Sequence, residues 1–180
     1  MQTEDKIIVL DVETQNSFKD VGGRSNLAAL KISVAVAFWY PDQKFHVFME
    51  DEMEDFEKLL IKADTIVGFN TIGFDNPVIQ PYMKQVRLDT KNQIDMMLKI
   101  EEKLGYKISL DSIAGATLGH KKLSHGLEAI KMYREGRMDE LTAYCQEDVN
   151  ITKEIFEYGR KNKSIKFNAG WEDYEIEIDW

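Results

Sequence analysis

Near the start of the chain an unbroken apolar run, Ile7-Ile8-Val9-Leu10, leads straight into Asp11-Val12-Glu13. A strand with one face in water alternates apolar and polar residues, whereas a continuous apolar run needs cover on both faces. The run therefore predicts an inner strand of a sheet with layers packed on both sides. A strand has a period of two, so Asp11 and Glu13 project to one face at its end, roughly 6–7 Å apart along the chain. Two carboxylates so placed repel each other, and burial raises their pKa unless a cation neutralises them. A hard divalent metal ion is the simplest remedy. A pair of surface acids at a strand end is the plainer alternative.

The rest of the chain supplies the other layers. Residues 31–40 and 44–49 read as strands joined at Pro41-Asp42-Gln43, a hairpin signal. Residues 51–62 read as a helix with Met53, Phe56, Leu59 and Leu60 on one face. A short strand is expected at 65–69, then a helix over 70–82 interrupted by Pro77 and Pro81. A strand near residue 93 leads into a helix over 95–104, ended by Gly105, and 110–118 reads as another helix. Residues 119–126 read as a loop. The strongest helix runs over 139–158, with Leu141, Cys145, Val149, Thr152 and Phe156 at steps of three or four. The order predicts an α/β fold: an antiparallel first trio of strands, later strands added in parallel, helices covering the sheet.

Length and charge bound the answer further. The 180 residues suit one domain, expected over 1–165 with an acidic arm or strand at 166–180. One cysteine, Cys145, excludes an intramolecular disulfide and any Cys-only zinc site. The net charge is −9, which taken alone argues against a nucleic-acid partner. Eleven of the 32 acids, however, sit in two blocks without a base, residues 50–57 and 172–179, and the remaining 21 face 23 bases. Both blocks read as solvated surface. No run is long enough to span a membrane, and the opening MQTEDK lacks the features of a signal peptide, so a soluble cytoplasmic protein is expected.

Two further groups of residues carry chemistry. In Gly68-Phe69-Asn70-Thr71-Ile72-Gly73-Phe74-Asp75 a strand runs into a glycine-containing turn that presents Asp75 at a helix start. Strand ends of this kind are where open α/β sheets build sites, although Asp75 would serve equally as an N-cap. Tyr144 and Asp148, four residues apart on the long helix, share a face beside its apolar stripe. Asp148 alone would also suit an interfacial acid paired to a base.

In this order, Asp-x-Glu on the first strand, Asn-x-x-x-Phe-Asp after a later one and Tyr-x-x-x-Asp on a late helix, the sequence resembles the DnaQ-like DEDD exonucleases of the ribonuclease H-like fold, in their tyrosine-containing (DEDDy) branch. The resemblance spans about residues 7–158. It implies 3′→5′ removal of nucleoside 5′-monophosphates by a two-metal mechanism. Asp11, Glu13, Asp75 and Asp148 would hold two Mg²⁺ or Mn²⁺ ions, with Tyr144 orienting the attacking water. Thr14, Asn70 and Phe74 would contact substrate. The implied partner is nucleic acid at a single-stranded 3′ end, DNA ahead of RNA, with a helicase or replication protein as a possible protein partner. A structure-selective endonuclease and a non-catalytic binding module are the rival functions.

Several residues fall outside the motifs. Lys121, Lys122, Lys131, Arg134 and Arg137 outnumber Glu128 and Glu135, making this run the candidate phosphate-tracking surface, with Lys121 and Lys122 as substrate contacts. Asp95 and Asp111 read as helix starts or caps, and Cys145 as a core thiol. In the tail, Ile176, Ile178 and Trp180 fall on one strand face. They would pack on the domain itself or dock on a partner.

Overall fold

The computed structural model describes residues 6–120, 126–169 and 172–180. Its elements in chain order are β1 (Ile7–Thr14), β2 (Ile32–Trp39), β3 (Lys44–Met49), α1 (Met53–Lys62), β4 (Thr65–Gly68) and α2 (Asp75–Ile79). There follow β5 (Asn92–Asp95), α3 (Met96–Leu104), α4 (Leu110–Leu118), α5 (Gly126–Arg134), α6 (Met138–Asn162), β6 (Ser164–Asn168) and β7 (Asp173–Glu177). The main sheet has the order β3-β2-β1-β4-β5, antiparallel from β3 to β1 and parallel from β1 to β5. This is the mixed, helix-flanked sheet of a ribonuclease H-like fold.

Strand β1 shows why the apolar run demanded two covered faces. Ile7 and Val9 face the core beneath α6, which supplies Leu141, Cys145, Val149, Ile155 and Phe156. Ile8, Leu10 and Val12 face the opposite core, built with Phe56 and Leu60 of α1 and with Val78 and Ile79 of α2. Strand parity then carries Asp11 and Glu13 to the α6 side, in line with Val9. All eight residues of β2 are buried.

Three local features position the chain around the strand ends. A Cβ at Gly68 would run into Thr71 Oγ1, so only glycine lets β4 turn this tightly. Asn70 takes a left-handed φ of 67° and its carbonyl accepts the Phe74 amide at 2.9 Å, starting the turn into α2. Asp95 is buried and accepts the amides of Asn70 and Ile72, each at 2.9 Å, while capping α3 through Leu98 N at 3.3 Å. The expected capping role of Asp95 is present, and with it a clamp on the turn that the sequence did not signal.

Other expectations need correction. Between the predicted loop and the long helix lies α5, a two-turn helix missed because its apolar stripe is short. The helix expected from residue 70 begins at Asp75, and residues 80–82 form a 3-10 turn at Pro81. The first acidic block is not solvated surface throughout. Glu57 is 4% exposed and one of its oxygens accepts the amides of Lys84, Gln85 and Val86 at 2.7, 2.6 and 2.9 Å. Burial pushes its carboxyl up, and the three amide donors together outweigh burial and hold it below the usual range.

The C-terminal segment packs on the domain. β7 pairs antiparallel with β6, with Ile176 opposite Ile165. Ile178 is buried, and Trp180 Nε1 donates to the Phe156 carbonyl at 3.1 Å. Gly159 of α6 leaves the room these residues occupy, since a Cβ there would lie 2.5 Å from Ile178 Cδ1 and 2.6 Å from Trp180 Nε1. Among the described residues, no helix is long and apolar enough to cross a membrane.

Candidate metal centre

The end of β1 and the middle of α6 meet at the acids. Asp11, Glu13 and Asp148 each offer a carboxylate oxygen, and these oxygens lie within 4.8 Å of one another. Cys145, one residue after Tyr144 and three before Asp148, packs against β1 with Sγ 3.6 Å from both the carbonyl and Oδ2 of Asp11. The thiol is wholly buried, and burial pushes its pKa well up, with the neighbouring acids adding to the effect. It is a core thiol, as expected, and it donates toward Asp11.

Asp75 approaches the same strand end from the start of α2. It is buried, with Oδ1 accepting the Val12 amide at 3.0 Å. Phe74, not Asp75, is the N-cap of α2, so the carboxylate is free to reach across to β1. Its charge acts on both Asp11 and Glu13.

The electrostatics are those of acids crowded without compensation. Burial first, then the charges of Asp75, Glu13 and Asp148, push the Asp11 carboxyl well above its usual range. Burial, then Asp148 and Asp75, do the same to Glu13. Burial raises Asp75 to about 7 despite the opposing Val12 hydrogen bond. It raises Asp148 to about 7 as well, helped by Asp111 and Glu147 and opposed by a hydrogen bond from Tyr144. Each shift reports the cost of burying like charges close together. A divalent cation removes that cost, and an all-carboxylate donor set suits a hard one such as Mg²⁺ or Mn²⁺. Asp11, Glu13 and Asp148 could therefore hold a metal ion.

Tyr144 donates its hydroxyl to Asp148. Burial, then the charges of Asp148, Glu13 and Asp11, raise the phenol well above its ordinary value near 10. In the metal-free chain the phenol is the donor of that bond.

Over these acids opens a cleft of about 300 Å³. Asp11, Glu13 and Asp148 lie in it, and Thr14 and Phe74 are among its lining residues. Asn70 is absent from the lining; its backbone is spent on the turn held by Asp95. Sequence reasoning missed Asn16, Phe18, Leu30, Leu127 and Ile130, which complete the walls. The signal available was slight: one aromatic in a polar loop, and an apolar pair three apart on a short helix.

Lys121 and Lys122 lie outside the described residues. The rest of the basic run is not a free cationic face. Arg134 pairs with Asp20 at 2.8 Å and Lys131 with Glu128 at 3.8 Å. Arg137 meets Glu135 at 2.9 Å, Glu140 at 3.1 Å and Glu128 at 3.4 Å. His120 bonds Glu154 at 3.1 Å.

A mixed sheet with helices on both faces and acids gathered where its first strand meets a late helix defines a ribonuclease H-like domain with a candidate metal centre. Residues 8–160 match the RNase H superfamily, and the chain belongs to that superfamily. Among solved structures it is similar to the family B DNA polymerase from the hyperthermophilic archaeon Pyrobaculum calidifontis, with a TM-score of 0.64 and 16% identity. The match covers 86% of this chain and 24% of the polymerase chain, so the likeness is one of fold and this chain spans about a quarter of that polymerase. A comparison with curated protein sequences finds no match.

Proposed function

We propose that the protein is a metal-dependent 3′→5′ exonuclease of the DEDDy type, acting on single-stranded ends. The observation that carries this reading is the convergence of Asp11, Glu13 and Asp148 from two distant segments, with Tyr144 bonded to the last of them. Asp75, buried against the same strand end, completes the four acids. When bound, two divalent cations would supply positive charge against that building on the phosphate and would favour ionisation of a water.

The chain's own groups account for the rest. Tyr144 offers a fixed donor beside Asp148 and orients the water that attacks the terminal phosphorus. The bond from phosphorus to the 3′ oxygen breaks, and a nucleoside 5′-monophosphate leaves. Thr14 and Phe74 border the space where that nucleotide lies.

A 5′-labelled oligonucleotide digested with Mn²⁺, as DNA and as RNA side by side, tests the reading. Stepwise shortening from the 3′ end is expected. Internal cuts alone would mean an endonuclease, and no cleavage by folded protein would leave a binding module.

A further inference from the structure

The cleft has two walls from segments far apart in sequence. One is the loop after β1, which contributes Ser17 and Phe18; the other is α5, which contributes Leu127 and Ile130. Phe18 is held from two sides, by an edge contact to Phe74 with centroids 6.0 Å apart and by the Arg24 guanidinium 4.5 Å over its ring. Leu127 is 75% exposed, an apolar side chain turned to open space at the cleft. The positions 127, 130 and 134 fall at i, i+3 and i+7, so Arg134 continues the cleft-facing side of α5 toward its rim.

At that rim Arg134 Nη2 donates to Asp20 Oδ2 at 2.8 Å, bridging 114 residues of sequence. The same Asp20 oxygen accepts Ser17 N at 2.8 Å and Ser17 Oγ at 2.6 Å. One carboxylate thus folds the loop that carries Phe18 and ties it to the helix that carries Leu127 and Ile130. We propose that Asp20 and Arg134 are positioning residues, a clasp that sets the separation of the two walls and so the grip on a strand's terminal nucleotide. This rests on the nuclease reading for the identity of the ligand. The pair is exposed on both sides, so its strength is modest and it can open and close with the strand.

The alternative for Arg134 is a phosphate contact, and the two roles differ in sign at Asp20. As a phosphate contact, Arg134 is restrained by Asp20, and Asp20→Asn would free it and tighten nucleic-acid binding. Removing a negative charge from the rim would push the same way. As a clasp, Asp20→Asn loosens the walls and weakens binding against that electrostatic trend.

The test is the Kd of a fluorescent single-stranded oligonucleotide, measured by anisotropy with Ca²⁺ present, alongside cleavage of the same oligonucleotide with Mn²⁺. Asp20→Asn and Arg134→Gln are each expected to raise Kd about two- to five-fold, the range of an exposed ion pair. Arg134→Lys keeps a cation facing Asp20 and leaves the Ser17 bonds to Asp20 in place, so its Kd should stay nearer wild type than that of Arg134→Gln. Melting curves should stay near wild type, since both positions are exposed. A lower Kd in Asp20→Asn, unchanged Kd in both single variants, or an Arg134→Lys protein that binds as weakly as Arg134→Gln would overturn the clasp. A wild type that binds but never cuts with Mn²⁺ would overturn the nuclease reading instead, leaving the clasp to be judged on Kd.

Discussion

The Asp75 carboxylate accepts the amide of Val12, the residue that stands between Asp11 and Glu13, at 3.0 Å. One hydrogen bond thus fixes a third acid against the strand end where two others already point outward. Charge and hydrogen bonding at Asp75 act in opposite directions. The carbonyl-like oxygen satisfies a buried backbone donor, while the charge adds repulsion. Asp75→Asn keeps the acceptor and removes the charge, so metal-free protein should melt at the same temperature or higher. Asp75→Ala leaves the Val12 amide unpaired and should cost about 1–3 kcal/mol. Thermal melts of both variants without metal check the difference.

The raised carboxyls make stability depend on pH with a definite sign. Asp75 and Asp148 titrate near 7 in the folded chain and near 4 when unfolded, so between those values the folded state holds more protons. Metal-free stability should therefore fall as pH rises from about 4 to about 7, then level off as far as these groups are concerned. A cation that binds only the folded, ionised site should restore it. Millimolar Mn²⁺ is expected to raise the melting temperature at pH 7.5 and to have little effect at pH 5. An equal shift at both values, or none at either, would contradict the metal assignment.

Turnover should separate the acids from the tyrosine. Asp11→Ala and Asp148→Asn each remove a member of the converging set and should abolish cleavage while the fold persists. Tyr144→Phe keeps the ring and loses the donor to Asp148, so cleavage should fall by up to about 100-fold with Mn²⁺ binding largely kept. Single-turnover assays and Mn²⁺ titrations on the same preparations check both statements.

The C-terminal segment gives a prediction that reverses sign with its partners. Gly159→Ala in the intact chain puts a methyl into Ile178 and Trp180, and the melting temperature should drop. With Ile178→Ala and Trp180→Ala already present, the space is open. The substitution should then help α6 by up to about 1 kcal/mol through helix propensity. Melts of the two pairs of proteins decide it. Removal of residues 169–180 should lower stability yet leave cleavage of a short oligonucleotide intact, because Ile178 and Trp180 pack on the far end of α6 from Asp148.

Short-range pattern carried much of the main sheet and the long helix. The run Ile7 to Leu10, the stripe Leu141, Cys145, Val149, Phe156 and the parity of Asp11 and Glu13 are repeats of two or of about 3.6, and such repeats are properties of neighbours in sequence. What escaped was a matter of which distant groups meet. Arg134 reads as part of a basic surface until Asp20 arrives from 114 residues away, whereas Lys131 and Arg137 meet Glu128 and Glu140 only three residues off. Glu57 read as solvated until three amides of residues 84–86 close on it. The strands of the main sheet and the long helix were legible in the sequence because apolar periodicity is a property of neighbours; β6 and α5 were not, and the acids stood out as a set only through the order of their motifs and the resemblance it carries. Tertiary folding alone brings Asp75 to Val12, sets Asp95 on the turn and places Phe18 and Leu127 in one cleft. Those depend on pairing charge and backbone donors across long stretches of chain, where local pattern carries no information.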